Sequence, residues 1–300
     1  MAITTIDGII AATAAGQSYR YMWTKQVHPT YAPYVAGRWY DTTQLFGHPT
    51  QETFTGTALT AVQCIGPGTV SVLPGCMPNG GIVEPTYNKY LTSIEAHTSA
   101  ANGWGWLLLV DMLMYYPGIS MNSNLQQVLT TNVSLPRYAT GNGVMIFLEA
   151  AGTTGATTTT LHPNGLAYTS NYGIAGRVVP GTVACTVSAF PGQIIHSGVA
   201  VNNVGPFLPL EAGDQGVQSV QSFQITAATG GAATAVLVLC KPLAQIPIVT
   251  AQVPSGRDFI FSMPTMPRIH DGAYLDFLYL PGAATAASNN LFAILNFVWG

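Results

Sequence analysis

Along most of the chain, apolar and polar residues alternate in short segments, each closed by Gly, Pro or Asn. That period of two, with Val, Ile, Thr and aromatic residues enriched, predicts β-strands. The series begins at "FTGTALTAVQCI" (54–65) and "GTVSVL" (68–73). "GVMIFLEAAG", "ATTTTLHP", "GTVACTVSAF" and "QIIHSGVAV" follow at short spacing, then "RDFIFSM", "GAYLDFLYLPG" and "NNLFAILNFVW". Two hairpins are expected. "LTSIEAHTSA" runs through Asn102-Gly103 into "WGWLLLVDML", and "VQSVQSFQIT", whose alternation is clear from Gln221, turns at "AATGGAA" into "TAVLVLC". In the second, Phe223 and Ile225 share one face, with Ser222, Gln224 and Thr226 on the other. The returning strand is apolar on both faces, the mark of a central strand.

The start differs. "AITTIDGIIAATAAG" reads as one short helix, capped by Thr4 or Thr5, with Asp7 at its positive end, an apolar stripe of Ile6, Ile9 and Ile10, and Gly16 as its stop. The Pro-rich, aromatic stretch after it has no clean period and reads as an extended arm. Tyr19, Tyr21, Trp23, Trp39 and Tyr40 are its candidate docking residues, because large amphipathic rings are enriched at interfaces. The fold expected is all-β, an antiparallel β-sandwich of jelly-roll type. It divides into a helix and arm (1–53), a main sandwich (54–245) and C-terminal strands (246–300) that complete the sandwich or form a small lobe.

Charge changes the picture of the surface. Only 7% of residues are charged, with three lysines and six arginines against twelve acids. Typical soluble domains carry roughly 25%. Without self-repulsion to keep a monomer apart, such a surface is expected to be covered by other protein chains. A net charge of −3 with no basic run gives no case for nucleic-acid binding. The longest apolar run, Trp104 to Tyr116, is interrupted by Asp111 and is shorter than the ~20 residues of a membrane helix, so no membrane is expected. No secretory leader is legible at the start, which predicts synthesis in the cytoplasm. Cys64, Cys76, Cys185 and Cys240 are then expected to be free and buried.

Motifs for chemistry are sparse. There is no G-x-S-x-G and no G-K-[ST]. His196 and Ser197 are strand neighbours that point to opposite faces. Glu95 and His97 share a face, yet the six histidines are scattered, and neither a metal nor another cofactor is expected. A hydrolase would have to use Asp111 or Glu149. Asp111 lies between "LLLV" and "MLMYY", where a charge needs a partner. A structural role there, accepting backbone N–H bonds or meeting one of the six arginines, is preferred over an active-site acid. Glu211 and Asp214, in "PLEAGDQGVQ", read as an acid pair or as turn punctuation. The glycines flanking Asp214 favour the turn.

Several stretches together resemble tailed-bacteriophage virion proteins: "TTIDGIIAA", the "VAGR" element Val35–Arg38 followed by Trp39-Tyr40, and "DMLMYYPGI". In the last, Asp111, Leu113, Gly118 and Ile119 fit the family pattern, and Met114 departs from its aromatic. "LEAGDQGVQSVQS" (Leu210–Ser222), a late P-R-x-x-D element (Pro267, Arg268, Asp271) and "LDFLYLPGA" complete the series, in the family's order. The resemblance implies a structural part of a phage particle. We take that part to be a non-enzymatic capsid decoration (cement) protein on the outer capsid surface, bound to the major capsid protein and to itself as a homotrimer. A tail, neck or fibre component and a carbohydrate-binding jelly roll are the alternatives.

Overall fold

The computed structural model describes residues 3, 5–31, 33–66, 74–198, 205–230, 233–261, 266–287 and 289–300. The strand expected at 68–73 lies outside them, as do the ends of those expected at 193–201 and 257–263. Helix α1 (Ile6–Ala14) opens where predicted: Thr5 Oγ1 accepts from Gly8 N–H at 3.1 Å, and Asp7 sits in the first turn. Gly16, at φ +75°, closes it.

The remaining elements are strands: β1 (Ser18–Gln26), β2 (Tyr40–Asp41), β3 (Phe46–His48), β4 (Val62–Gln63), β5 (Lys89–Thr98), β6 (Gly105–Ser120), β7 (Gln127–Val128), β8 (Met145–Ala150), β9 (Thr159–Thr160), β10 (Ala167–Ser170), β11 (Arg177–Val178), β12 (Ala184–Cys185), β13 (Val217–Phe223), β14 (Thr234–Ile248), β15 (Ser255–Asp258), β16 (Arg268–Ile269), β17 (Tyr274–Pro281) and β18 (Asn290–Trp299). The chain is therefore all-β, with antiparallel sheets and one short N-terminal helix, as the alternation predicts.

A long central sheet organises the described residues, in the order β2-β17-β6-β14-β8 with β4 beside β6. β6 and β14 run antiparallel from Gly105–Ile248 to Ser120–Thr234, with three register shifts on the way. Both are too long for one partner layer. One end of the shared face packs on an outer sheet of order β15-β5-β18-β1-β3, burying Leu107, Leu109, Ile246 and Phe277 against Trp23, Ile94, Leu295 and Phe297. The other end packs on a smaller sheet of order β11-β10-β13-β7, burying Leu113, Tyr116, Leu237 and Leu239 against Tyr168, Val217, Val220 and Phe223. The opposite face is roofed by Trp39, Phe54, Cys64 and Ile194 over Met112, Tyr115, Val238 and Tyr274. Two sandwiches thus share one sheet, and both faces of β6 and β14 are dry, which explains their unbroken apolar runs. All four cysteines are buried and free.

Both expected hairpins are corrected. β5 does not pair with β6. β5 lies in the outer sheet beside β18, β15 and β16, and β6 already has β14, β17 and β4. The chain crosses between layers at a corner that Asn289 ties: its Oδ1 accepts from Thr98 Oγ1, Ser99 Oγ and Ala100 N–H at 2.9–3.0 Å. Likewise β13 belongs to the smaller sheet and β14 to the central one. A strand that is apolar on both faces needs two sheet neighbours and two cover layers, and its sequence neighbour supplies neither.

The extended arm is also corrected. Its first part is β1, paired with β18 over its whole length, from Ser18–Val298 to Gln26–Asn290. β2 joins β17 in the central sheet. The first and last stretches of the chain therefore share sheets with the middle.

Candidate functional site: a sealed acid cluster and an open sheet face

β1 alternates Tyr19, Tyr21, Trp23 and Lys25 inward with Arg20, Met22, Thr24 and Gln26 outward. The inward row is core. Trp23 packs edge-on to Phe277 at 4.9 Å, and Tyr40 stacks on Tyr34 at 3.9 Å with Phe190 beside them. Tyr21, Trp23, Trp39 and Tyr40 are all buried within this chain, and Tyr19, half-buried, stacks on Phe297. Each buried ring contributes ~1.5–3 kcal/mol to folding and offers no surface to a partner. The docking role expected of these residues is therefore corrected to a core role for Tyr21, Trp23, Trp39 and Tyr40, while Tyr19 keeps a half-exposed ring.

Beneath them lies a polar centre that sequence alone does not assemble. Lys25 from β1, Asp41 from β2, Gln44 after it, Glu149 from β8 and Asp276 from β17 meet with little or no exposure. Asp276 Oδ1 accepts from Trp23 Nε1–H (3.2 Å), Thr42 Oγ1–H (2.7 Å) and Phe277 N–H (2.7 Å). Asp41 accepts from Thr43 N–H at 3.0 Å and from the Thr43 hydroxyl. Glu149 Oε1 accepts from Gln44 Nε2–H at 3.0 Å. Asp41 and Glu149 are also hydrogen-bonded to each other, which requires a proton between them. Burial first, and then the Asp41 charge, push the Glu149 carboxyl well above the ordinary range, so Glu149 holds that proton. Burial likewise raises Asp276, to about 6, and lowers Lys25. This cluster stores protons, and it is closed to solvent.

The other singled-out acids are tied to arginines. Arg137 forks Asp111, Nη2–Oδ1 at 2.6 Å and Nε–Oδ2 at 2.9 Å, and donates to the carbonyls of Cys64 and Met112. Tyr274 N–H completes the shell of Asp111 at 2.9 Å. Asp214 takes Arg177 Nε–H at 3.0 Å and Tyr168 O–H at 2.7 Å. Glu211 pairs with the same arginine at 2.5 Å and caps Val178 N–H. The acid pair of "PLEAGDQG" thus clamps β10 and β11 to the turn before β13. His196 and Ser197 make separate backbone contacts, with Pro206 O and Ile194 O. Among the described residues no three His, Cys, Asp or Glu side chains gather to hold a metal ion, and no helix is long and apolar enough to cross a membrane.

The open surface is the outward face of the outer sheet. The pairing puts Met22 opposite Ile294, Thr24 opposite Phe292, Phe292 opposite His97, and Gln26 opposite Phe46. Met22 is 66% exposed and Phe46 45%, and His97 lies flat on Phe292 at 4.7 Å. Arg20, Glu95 and Asp258 stand around this apolar centre. At the Ser18–Val298 end, helix α1 overhangs a groove of about 390 Å3 lined by Ile9, Thr13, Arg20, Ser93, Asn296 and Val298. Ile6 and Ile10 of the helix face solvent.

Comparison with known proteins adds little. No family model and no curated protein matches the chain. Two solved structures align with it: the VP2 subviral particle of infectious bursal disease virus and a mutant of the same protein from T=1 particles. Each has 10% identity over 94% of this chain, covering 80% and 77% of the viral chains, with TM-scores of 0.18 and 0.17. At those scores the likeness carries no argument about this protein.

Proposed function

We propose that the chain is a non-enzymatic structural protein of a tailed-phage virion, and within it a capsid decoration (cement) protein. It binds the major capsid protein on the outer surface of the head as a homotrimer. The observation that carries this reading is the outward face of the outer sheet. It has an apolar centre, a thin charged rim and a rigid hydrogen-bonded frame, the anatomy of a protein–protein interface. Specific docking needs about 800 Å2 per partner, a small part of the chain's 11776 Å2. The scarcity of charge and the resemblance of six stretches to phage virion proteins support the same reading.

The carbohydrate-binding alternative loses its rings, since four of the five aromatics that would stack on sugars are core. Electron microscopy of the intact particle tests the proposal. The expected result is density for this chain at local symmetry axes of the outer capsid, in hundreds of copies. Density confined to tail or neck, in tens of copies, moves the chain there, and absence from the particle removes the virion reading.

A further inference from the structure

We propose that Lys89 and Asn79 become joined by an isopeptide bond that the folded chain makes itself, with Asp271 carrying the proton. The three side chains meet at one end of the outer sheet. Lys89 Nζ lies 3.0 Å from Asn79 Oδ1 and 2.9 Å from Asp271 Oδ1. Its third neighbour is Gly81 O at 2.6 Å. Exposure is 0% for Lys89, 1% for Asn79 and 6% for Asp271, so water is excluded from all three.

The parts are held in place. Lys89 is fixed between Trp299 and Ile269 in the sheet. Asn79 Nδ2 donates to the carbonyls of His270 and Asp271 at 3.2 Å, which turns its own oxygen toward the amine. Asp271 Oδ2 is locked by Val83 N–H (2.6 Å) and Glu84 N–H (2.7 Å). Gly80 and Gly81, both at positive φ, make the tight return that brings Asn79 back over Lys89. A side chain at Gly80 would strike Trp299 and Tyr19. The hydrogen bond to Oδ1 holds the amine beside the Asn79 carboxamide, and attack needs it to close on Cγ to about 3–3.5 Å. The chain contains its own control. Lys25 is equally buried, but among the described residues its amine hydrogen-bonds to a backbone carbonyl, Leu45 O, and not to a carboxamide oxygen.

The chemistry is an amide exchange. Lys89 passes a proton to Asp271 Oδ1, and the neutral amine attacks Asn79 Cγ. The new C–N bond forms, Asp271 delivers its proton to Nδ2, the Cγ–Nδ2 bond breaks to release ammonia, and Asp271 takes the second proton from the attacking nitrogen. A primary amine and a primary amide become a secondary amide and ammonia, with no change of oxidation state. Burial lowers the affinity of Lys89 for its proton, which favours the first step, while the hydrogen bonds from Lys89, Glu84 N–H and Val83 N–H hold the Asp271 carboxyl below its ordinary range against its own burial, which opposes it. The product ties the 79–85 loop covalently to β5, whether or not the chain is a virion protein.

Intact-mass spectrometry of the folded, purified protein tests this. Expected is a chain lighter by one ammonia, with trypsin unable to cut after Lys89 and fragment ions linking Lys89 to Asn79. Lys89→Arg and Asp271→Asn should each restore the sequence mass. Asn79→Asp should lose water in place of ammonia. Folded wild type at its sequence mass, with free cleavage after Lys89, overturns the proposal. So does an ammonia loss that persists in Lys89→Arg, which would assign it to backbone ring closure at Asn79-Gly80. Circular dichroism on each variant identifies those that fold, and any one folded variant of the three decides.

Discussion

Two carboxyl groups sit in adjoining parts of the central sheet with no exposure, Asp111 on β6 and Glu149 on β8. Their sequence settings are alike, an acid inside an apolar run. Their surroundings are opposite. Asp111 faces a forked guanidinium, two carbonyls on that same guanidinium and a backbone N–H. Glu149 faces a second acid and one amide. The first is a matched ion pair, whose removal from one side leaves a bare charge. The second is a proton trap, whose charge is unwelcome from the start. A buried acid in a sequence therefore does not say whether it stabilises the fold. Its partners decide both the sign and the size.

The largest effect tests the matched pair. Arg137→Met leaves Asp111 buried without a cation and should lower the unfolding free energy by about 3–5 kcal/mol in urea titrations. Asp111→Asn strands the guanidinium instead and should also destabilise. A neutral outcome for both would mean that the pair contributes nothing and the comparison fails. Glu149→Gln should act in the other direction, because the amide keeps the hydrogen bonds to Gln44 and Asp41 and cannot ionise. The sign follows from the raised carboxyl. The unfolded chain releases this proton near the ordinary glutamate range and the folded chain keeps it. Stability is thus fully present at low pH and declines as pH rises toward the raised value. The variant should match wild type near pH 4 and exceed it at pH 8, by an amount on the order of 1 kcal/mol. Asp276 adds to the same decline between its ordinary 3.8 and about 6.

How much of this was readable in advance follows from locality. The alternation in β13 and β18 was legible, because a strand with one wet face writes its period into the sequence, and β8 and β17, buried on both faces, were legible as short apolar runs closed by turn residues. The dry centre of β14 was legible from its double-faced apolar run. The alternation of Tyr19, Tyr21 and Trp23 in β1 was also present. It was obscured because the next inward position is Lys25, a charge that looks like surface, and because Pro29, Pro33 and the loops after them break the pattern. Strand partners were not legible. β1 pairs with β18 from the far end of the chain, and both sequence-adjacent hairpins proved to be crossings between layers. For the same reason the acid cluster was invisible. Asp41, Glu149 and Asp276 come from three distant stretches, and one sequence contains no mark that they meet.

A smaller effect comes from the clamp at Asp214. Here the carboxylate is held below the ordinary range, first by hydrogen bonds from Arg177. A depressed carboxyl contributes stability above its ordinary pKa and loses it as pH falls through the depressed value, the reverse of Glu149. Asp214→Ala should therefore lower the melting temperature at pH 7 by less than half the loss seen for Arg137→Met. The gap to wild type should close in acid. If the Asp214→Ala gap widened in acid, or the Glu149→Gln gap did, the assignment of opposite signs to the two sites would be wrong.

The smallest effect on folding is expected on the open sheet face, and there the comparison turns from stability to assembly. Met22 is two-thirds exposed on the outward face of β1, so Met22→Lys should change unfolding free energy by no more than about 0.5 kcal/mol. The same substitution places an unpaired ammonium at the apolar centre between Ile294 and Thr24, where a docked partner would have to desolvate it. Binding of the purified chain to particles that lack it should then fall by an order of magnitude or more. Glu95→Gln, two strands away on β5, should leave binding nearly unchanged, because rim charges remain in water on both sides of the equilibrium. Equal binding by wild type and Met22→Lys would show that this face is not the docking surface, even if the chain is found on the capsid. A loss of binding with an unchanged melting curve would separate the two roles of β1: an inward row that holds the fold and an outward row that holds the partner.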